Sequence, residues 1–466
     1  MSLKGFLCHI YSNYILCSKI ALATIIHYDI ITKSHVTKPK VTRRCMLMDI
    51  VIYAKKMLSS RFPALTHGNF RIYWLGQCVS LIGTWMQSIG QTWLVFSLTG
   101  SPMLVGLLGA IQFLPITFFS LFAGVMIDKY PKRTILLITQ FISMILAFTL
   151  FMLVFTHTVR YEYILILALI LGFLNTVDIP TRQSFTIELA GKQDLMNAIA
   201  LNSATFNLAR IIGPAIGALI MASLGPAWCF FLNGLSFMAV LISLLKIKVK
   251  PYVRKKVENN ILKEIKDGLK YIAGEPPLLK TLLMVLIIGI FVFNFNVLIP
   301  VFTKNVLHQG EYVYGFLMSA LGAGSFLGAL MVSLNSKSGP KANVLIGSAV
   351  VVSINLILIS VTKMYYYTGV LLIITGIFNI WFSTTANSIL QINAKDEYRG
   401  RVMSVYSLVF AGASPIGNMF AGFAADRFGA HTAFWLTGAL TLISIALLML
   451  GFKIYIQANK PSLKLT

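Results

Sequence analysis

The sequence predicts an all-α membrane protein of twelve transmembrane helices arranged as two six-helix bundles, and three observations carry that prediction. The chain is 57% hydrophobic and only 12% charged, with mean hydropathy +0.79, a balance outside the range of soluble globules. Its Lys and Arg residues fall almost entirely on one side of the spans. The second half of the chain also echoes the first in a fixed order.

A crossing needs about 20 apolar residues, and the chain after residue 70 has room for twelve with short loops. With the N-terminus placed in the cytoplasm, the outer loops hold only Arg160, Lys304, Lys363 and Arg427, and Arg210 falls inside a span. Nearly all the rest of the 39 Lys and Arg residues then face the cytoplasm. This is the positive-inside pattern, and it places both termini inside. The net charge of +24 is thereby accounted for by the membrane, and no nucleic-acid partner is expected. Cys8, Cys17, Cys45, Cys78 and Cys229 are scattered without metal spacing, and the seven histidines form no H-E-x-x-H pair. No metal or other cofactor is expected.

Residues 1–66 form an N-terminal extension. Its apolar stretch Phe6 to Ile31 is interrupted by Lys19, His27 and Asp29, with no clear cleavage site after it. It reads either as a dispensable tail upstream of a start at Met46, Met48 or Met57, or as a membrane-surface segment.

The first bundle is expected over 67–246. In its first span, near Arg71 to Leu98, Gln77, Ser80, Thr84, Gln87 and Gln91 recur at helical spacing and make one polar stripe. Amides and hydroxyls are costly against lipid, so the stripe faces a water-filled cavity or a neighbouring helix. Gly76, Gly83 and Gly90 would aid the second. Spans two and three, near Met103 to Ile127 and Thr134 to Phe155, enclose the turn GVMIDKYPKRTIL, where one Asp and three basic residues interrupt apolar sequence. Span four, near Tyr163 to Thr181, ends in TVDIPTRQSF, which puts Asp178, Pro180 and Arg182 at its cytoplasmic end. The proline bends the exit, and the Asp and Arg can satisfy one another at i and i+4.

Span five, near Ala198 to Ser223, holds Gly213, Pro214 and Gly217, a pattern for a kinked, closely packing helix. Arg210, one turn earlier, either snorkels or pairs with Asp178, or else holds an anion or tunes a proton site. Span six, near Ala227 to Leu245, leads into a basic linker, 247–277, with an apolar stripe at Ile261, Ile265, Leu269 and Ile272. This segment reads as a surface helix on the cytoplasmic leaflet, its lysines against anionic lipid headgroups.

The second bundle is expected over 278–455, with a cytoplasmic tail at 456–466. Its spans lie near Leu278 to Phe302, Tyr314 to Leu334, Val344 to Thr362, Tyr366 to Leu390, Val402 to Ala425 and Thr432 to Phe452. Val105-Gly106 corresponds to Tyr314-Gly315, Pro131-Lys132 to Pro340-Lys341, Ala215-Ile216-Gly217 to Pro415-Ile416-Gly417, and Phe231 to Gly234 to Trp435 to Gly438. The offsets are 209, 209, 200 and 204 residues, in one order throughout, as two repeated halves require.

Gly124, Asp128, Lys129, Lys132 and Arg133 match the loop between the second and third helices of the major facilitator superfamily, Gly-x-x-x-Asp-Arg/Lys-x-Gly-Arg/Lys-Arg/Lys. Pro131 stands where that family most often has glycine. The Asp178-x-Pro180-x-Arg182 stretch is similar to the subgroup of bacterial drug and siderophore exporters, and Gly213-Pro214-x-x-Gly217 resembles the antiporter motif of exporters. The resemblance covers about residues 70–455. It implies two bundles rocking about a mid-membrane site, proton antiport, and a monomer in the bacterial cytoplasmic membrane. Asp128 would then receive the N-terminal end of span eleven as a latch, or else merely neutralise Lys129, Lys132 and Arg133. The second-half loop LNSKSGPKAN has no carboxylate in the matching place.

Candidate cavity residues are Gln87 and Gln91, Asn294 and Asn296 with Phe291 and Phe293, and Asn379, Trp381 and Ser383. Such walls suit a small molecule with apolar bulk and hydrogen-bonding groups; the alternative is an aromatic core that includes amides. The absence of a Gly-x-x-x-x-Gly-Lys-Ser/Thr loop argues against ATP-driven pumping. No Ser-His constellation or paired intramembrane aspartates argue for an enzyme. Secondary transport remains, and the resemblance implies a proton-coupled exporter of drugs or siderophore-like compounds. The alternatives are a lysophospholipid or metabolite transporter of the same fold and, less favoured, a membrane sensor or enzyme.

Overall fold

The computed structural model describes residues 62–247, 261–335 and 339–458, apart from the side chains of 121–125, 128, 261–265, 335 and 455–458. The expectations for residues 1–61 and for the basic run 248–260 lie outside these. Among the described residues the chain is helical, with no strand. The first half comprises α1 (Gly68–Thr99), α2 (Pro102–Lys129), α3 (Lys132–Phe155), α4 (Tyr161–Ala190), α5 (Leu195–Leu224) and α6 (Ala227–Lys246). After α7 (Ile261–Gly274), the second half comprises α8 (Pro276–Phe291), α9 (Phe295–Asn305), α10 (Glu311–Asn335), α11 (Ala342–Val361), α12 (Tyr365–Asn393) and α13 (Asp396–Ala458).

These make twelve crossings. Span seven is α8 plus α9, and α13 is two helices joined at Gly429, whose φ of 82° only glycine adopts readily. Among the described residues, ten helices are long and apolar enough to cross on composition alone. The two limbs of α13 count there as one, and α1 is not among the ten because its polar stripe lowers its hydropathy. It is nonetheless packed inside the first half against α5 and α6.

Local chemistry sets the turns. Gly100, at φ 64°, closes α1 by donating its N–H to Phe96 O at 2.9 Å, and Ser101 caps α2 by accepting from Leu104 N, with Pro102 in the first turn. At Pro131 the backbone sits at φ −60°, the value proline imposes, so this turn needs no glycine. Span four runs unbroken through Pro180 to Ala190, longer than expected from the sequence. This corrects the placement of Asp178: it lies twelve residues, about 18 Å, before the helix end. Span seven is broken at 292–294, which the sequence reading did not anticipate.

The halves meet chiefly along two helix pairs, α2 with α13 and α5 with α10. Gly106 lies against the backbone of Asn418 and Gly422, and Gly315 lies against Pro214 O and Ala218. These are one contact used twice, because Gly106 and Gly315 are 209 residues apart and Ala218 and Asn418 are 200 apart, the same offsets seen in the sequence echo. A side chain at either glycine would overlap the partner helix, which is the small-residue requirement of packing in lipid. Large apolar side chains such as Leu75, Phe141, Phe155, Leu245 and Leu447 are exposed, as a lipid-facing surface requires.

The helix α7 corrects the uniform lipid-facing stripe expected of it. Ile272 is buried in a cluster with Leu278, Leu282, Leu390, Val402 and Val405, Gly268 abuts Arg401, and Tyr271 stacks on Tyr398 with centroids 4.3 Å apart. Leu269 alone of the described stripe points outward.

Candidate functional site

The turn 129–132, the start of α5, the helix α7, residues 339–341 and the loop 394–395 share one end of the bundle, termed here the basic face. Every hydrogen bond, ring contact and cation–π contact that crosses between the halves among the described residues lies at mid-span or toward the opposite, far face. Trp93 Nε1 donates to Glu311 Oε1 at 2.9 Å and the ring stacks on Tyr314. Ser101 Oγ and Met103 N donate to Asp426 Oδ1 at 2.8 and 3.4 Å. Lys304 lies over the Phe96 ring at 5.4 Å. At mid-span, Ser319 Oγ donates to Ile211 O at 2.9 Å, and Gly322 abuts Arg210 O, a carbonyl freed because Pro214 has no N–H to offer it.

The burial of α5 gives the direction of opening. Met196, Ile199, Ser203, Phe206, Arg210, Gly213, Gly217 and Met221 share one helical face. The first four are exposed and the last three buried. That face lies between α1, which receives Gly213 and Gly217 at Trp85, Met86 and Ile89, and α10, which meets the helix at Gly315 and Gly322. One face of one helix is thus open toward the basic face and closed toward the far face.

Near mid-span the closure holds a void of about 20 Å³, room for a water, lined from both halves. Its polar groups are Ser88, Thr92 and Gln112 from the first half and Asn296 and Asn418 from the second. The side-chain amides of Gln112, Asn296 and Asn418 make no hydrogen bond to another described residue, so they are left for water or a bound molecule. The break at 292–294 starts α9 one residue before Asn296, and Pro300 leaves the Asn296 carbonyl without its helical donor.

Of the other residues singled out from sequence, Gln87 accepts from Asn233 Nδ2 at 2.7 Å in the α1–α6 seam, and Gln91 is buried with no such bond. Asn294 stands at the break, donating to Ile290 O at 2.6 Å. Asn379 is buried with Oδ1 unpartnered among the described residues, and Trp381 donates to Gly328 O at 3.2 Å, facing α10. Only Asn296 of this set lines the void. Gln112 and Asn418 were not singled out; the available signals were a lone amide in a very apolar span and the residue following Gly417 of the repeat.

The motif residues divide by role. Lys132 pairs with Glu188 at 3.2 Å, and Arg133 donates from Nε and Nη2 to the carbonyls of Leu244 and Leu245, at 2.7 and 3.0 Å, at the end of α6, where a cation also meets the negative helix end. Lys129 is exposed; Gly124 and Asp128 lie in the last turns of α2, their surroundings outside the described residues. Asp178 is 4% exposed. It accepts from Thr139 at 2.6 Å, from Gln140 at 2.9 Å and from Arg182, which also donates to Gln77. Arg210 does not join this network; its guanidinium lies over Trp85 at 5.7 Å.

Two repeated six-helix halves, closed together at one face around a mid-span polar cluster, define a membrane transporter of the major facilitator fold rather than an enzyme. The family model described as transmembrane secretion effector matches residues 59–463, and the chain belongs to that family. It is similar to the staphyloferrin A transporter of Staphylococcus aureus (strain NCTC 8325 / PS 47), with 28% identity over 78% of this chain and 90% of that one. The multidrug efflux pump Tap of Mycolicibacterium fortuitum is 24% identical over 79% and 90%. The fold is shared with a bacterial homologue of the lysosomal transporter Spinster, solved inward-facing and unoccupied, at TM-score 0.68 and 12% identity over 84% and 99%.

Proposed function

We propose that the chain exports drugs or siderophore-like small molecules from the bacterial cytoplasm by alternating access, driven by proton antiport. In this reading both termini and the basic face are cytoplasmic, the halves 67–246 and 278–455 rock as bodies about the linker 247–277, and the unit is a monomer. Lysines of the linker lie against anionic headgroups, and nucleic acid plays no part. The observation that carries the reading is the single face of α5, exposed on the basic side and buried on the far side: a carrier waiting to load from the cytoplasm. The Gln112, Asn296 and Asn418 amides are its cargo-facing polar groups. Gln87, Gln91, Asn294, Asn379 and Trp381 support the helices around them, and Gly213, Pro214 and Gly217 form the moving seam.

The test is accumulation of fluorescent cationic dyes, antibiotics and iron chelators in cells expressing the full chain, with and without an uncoupler. Lower accumulation of a compound, reversed by the uncoupler, is the expected result. No change across the panel, with the protein confirmed in the membrane, would sink the reading and favour transport of lipid or another metabolite.

A further inference from the structure

Arg210 is the sixteenth of the thirty residues of α5, about 22 Å from either end. That is deeper in the bilayer than an arginine side chain can span to reach a headgroup. It is half-buried, and its guanidinium lies 5.7 Å from the centroid of the Trp85 ring. Among the described residues it has no carboxylate within 4.0 Å and no hydrogen-bond acceptor. The acid that the sequence offered it, Asp178, is taken by Arg182, Thr139 and Gln140. An indole face offsets only about 0.5–2 kcal/mol of the cost of a cation in such a place, and it leaves all five guanidinium N–H donors without a partner.

Position gives this cation a use. On the shared face of α5, Phe206 and Ser203 below Arg210 are exposed, whereas Gly213 and Gly217 above it are buried against α1. Arg210 therefore stands where the open cavity ends and the closed seam begins, at the depth of Ser319 and Gly322 of the other half. While the cavity is open, water can serve the guanidinium. When the halves close over it, that water is lost, and an anion must take its place or the charge is stranded. A planar carboxylate fits best, since it accepts two parallel N–H bonds from one guanidinium.

We infer that Arg210, held over the Trp85 ring, is the anchor for a carboxylate of the transported molecule, and that the preferred cargo is an organic polycarboxylate anion rather than a lipophilic cation. This rests on the export reading and narrows its substrate class.

The experiment uses purified full-length protein and inside-out vesicles with two fluorescent probes, carboxyfluorescein as the polycarboxylate and ethidium as the cation. Wild-type protein is expected to bind carboxyfluorescein saturably by anisotropy, with citrate competing. Arg210→Gln should weaken that binding by about tenfold or more, Arg210→Lys by less, and ethidium binding should not change in either. Trp85→Phe, which keeps a ring, should fall between. Size-exclusion profiles establish that each variant is folded. Equal loss for both probes, or no wild-type binding of either polycarboxylate, overturns the inference. Vesicle uptake separates it from the broader reading: movement of ethidium without carboxyfluorescein keeps export and overturns the anion anchor. Arg210-dependent binding with no movement of any compound keeps the anchor and overturns export.

Discussion

Trp93 of α1 donates its indole hydrogen to Glu311 of α10 at 2.9 Å while its ring stacks on Tyr314, so one side chain ties the two halves together at the far face. A hydrogen bond and an aromatic stack are together worth about 1.5 kcal/mol, enough to change a closed-to-open ratio by about tenfold. Trp93→Ala is therefore expected to open the far face. With native cysteines replaced and Leu108→Cys placed beside the void, a membrane-impermeant thiol reagent added from the far side should react about tenfold faster in the Trp93→Ala background. An unchanged rate would show that the contact does not govern closure.

The Asp178 network is a stabilising unit of the first half, since it joins α1, α3 and α4 through Gln77, Thr139, Gln140 and Arg182. Asp178→Asn leaves Arg182 buried without its anion, which should cost about 3 kcal/mol or more. Thermal unfolding of the purified protein should show a clear drop for Asp178→Asn and for Arg182→Gln singly. The double variant should lie well above the sum of the two, because the stranded charge is gone. Strict additivity would mean that the pair acts independently.

Asp128 ends the same half at the basic face, one residue before the end of α2. If it braces that face by receiving the N-terminal end of span eleven, Asp128→Asn should abolish transport while membrane insertion and expression stay intact. Uptake in vesicles, normalised to protein in the membrane, is the readout; transport at the wild-type rate would remove the latch.

The fold was legible because lipid imposes few choices: apolar length, basic loops and a repeated motif each survive in the letters. The 209-residue offset between Gly106 and Gly315 was readable before any contact was known. The site was less legible because an amide in a span looks the same whether it faces a helix or a cavity. Gln87 turned to Asn233, and Trp381 to Gly328 O, whereas Gln112 and Asn418 reached the void. Arg210 left both a pairing and a binding role open in the sequence, and only the occupation of Asp178 by Arg182 separates them. The broken span seven has no glycine at 292–294 to announce it; Asn294 stands at the start of α9 with its side chain bonded back to Ile290 O of α8.

The two seam glycines permit a matched test. Gly106 meets the backbone of Asn418 and Gly422, and Gly315 meets Pro214 and Ala218. Gly106→Leu and Gly315→Leu should each prevent far-face closure and slow transport to a similar degree, while Gly100→Leu, at a turn with nothing nearby, should act only through its positive φ. Crosslinking of cysteines placed at Ser101 and Asp426 reports the closure and should fall in both seam variants. A loss confined to one would mean that the repeat is preserved in sequence but not in mechanics.

The void amides set the last expectation. Asn296 and Asn418 face it from the second half and Gln112 from the first, and none has a partner in the described protein. Each is free to bond cargo when the halves part. Removing one neutral hydrogen bond costs about 0.5–1.5 kcal/mol, so Asn296→Ala and Asn418→Ala should each raise the KM for transport by about three- to tenfold. The maximal rate should change little, because the seam glycines and the far-face contacts are untouched. Asn294→Ala makes the contrast: it removes the bond to Ile290 O at the helix break, so its effect should appear in thermal stability and maximal rate rather than in KM. If Asn296→Ala lowered the rate at unchanged KM, the amide would be part of the hinge at 292–294, and the cargo would be held elsewhere on the cavity wall.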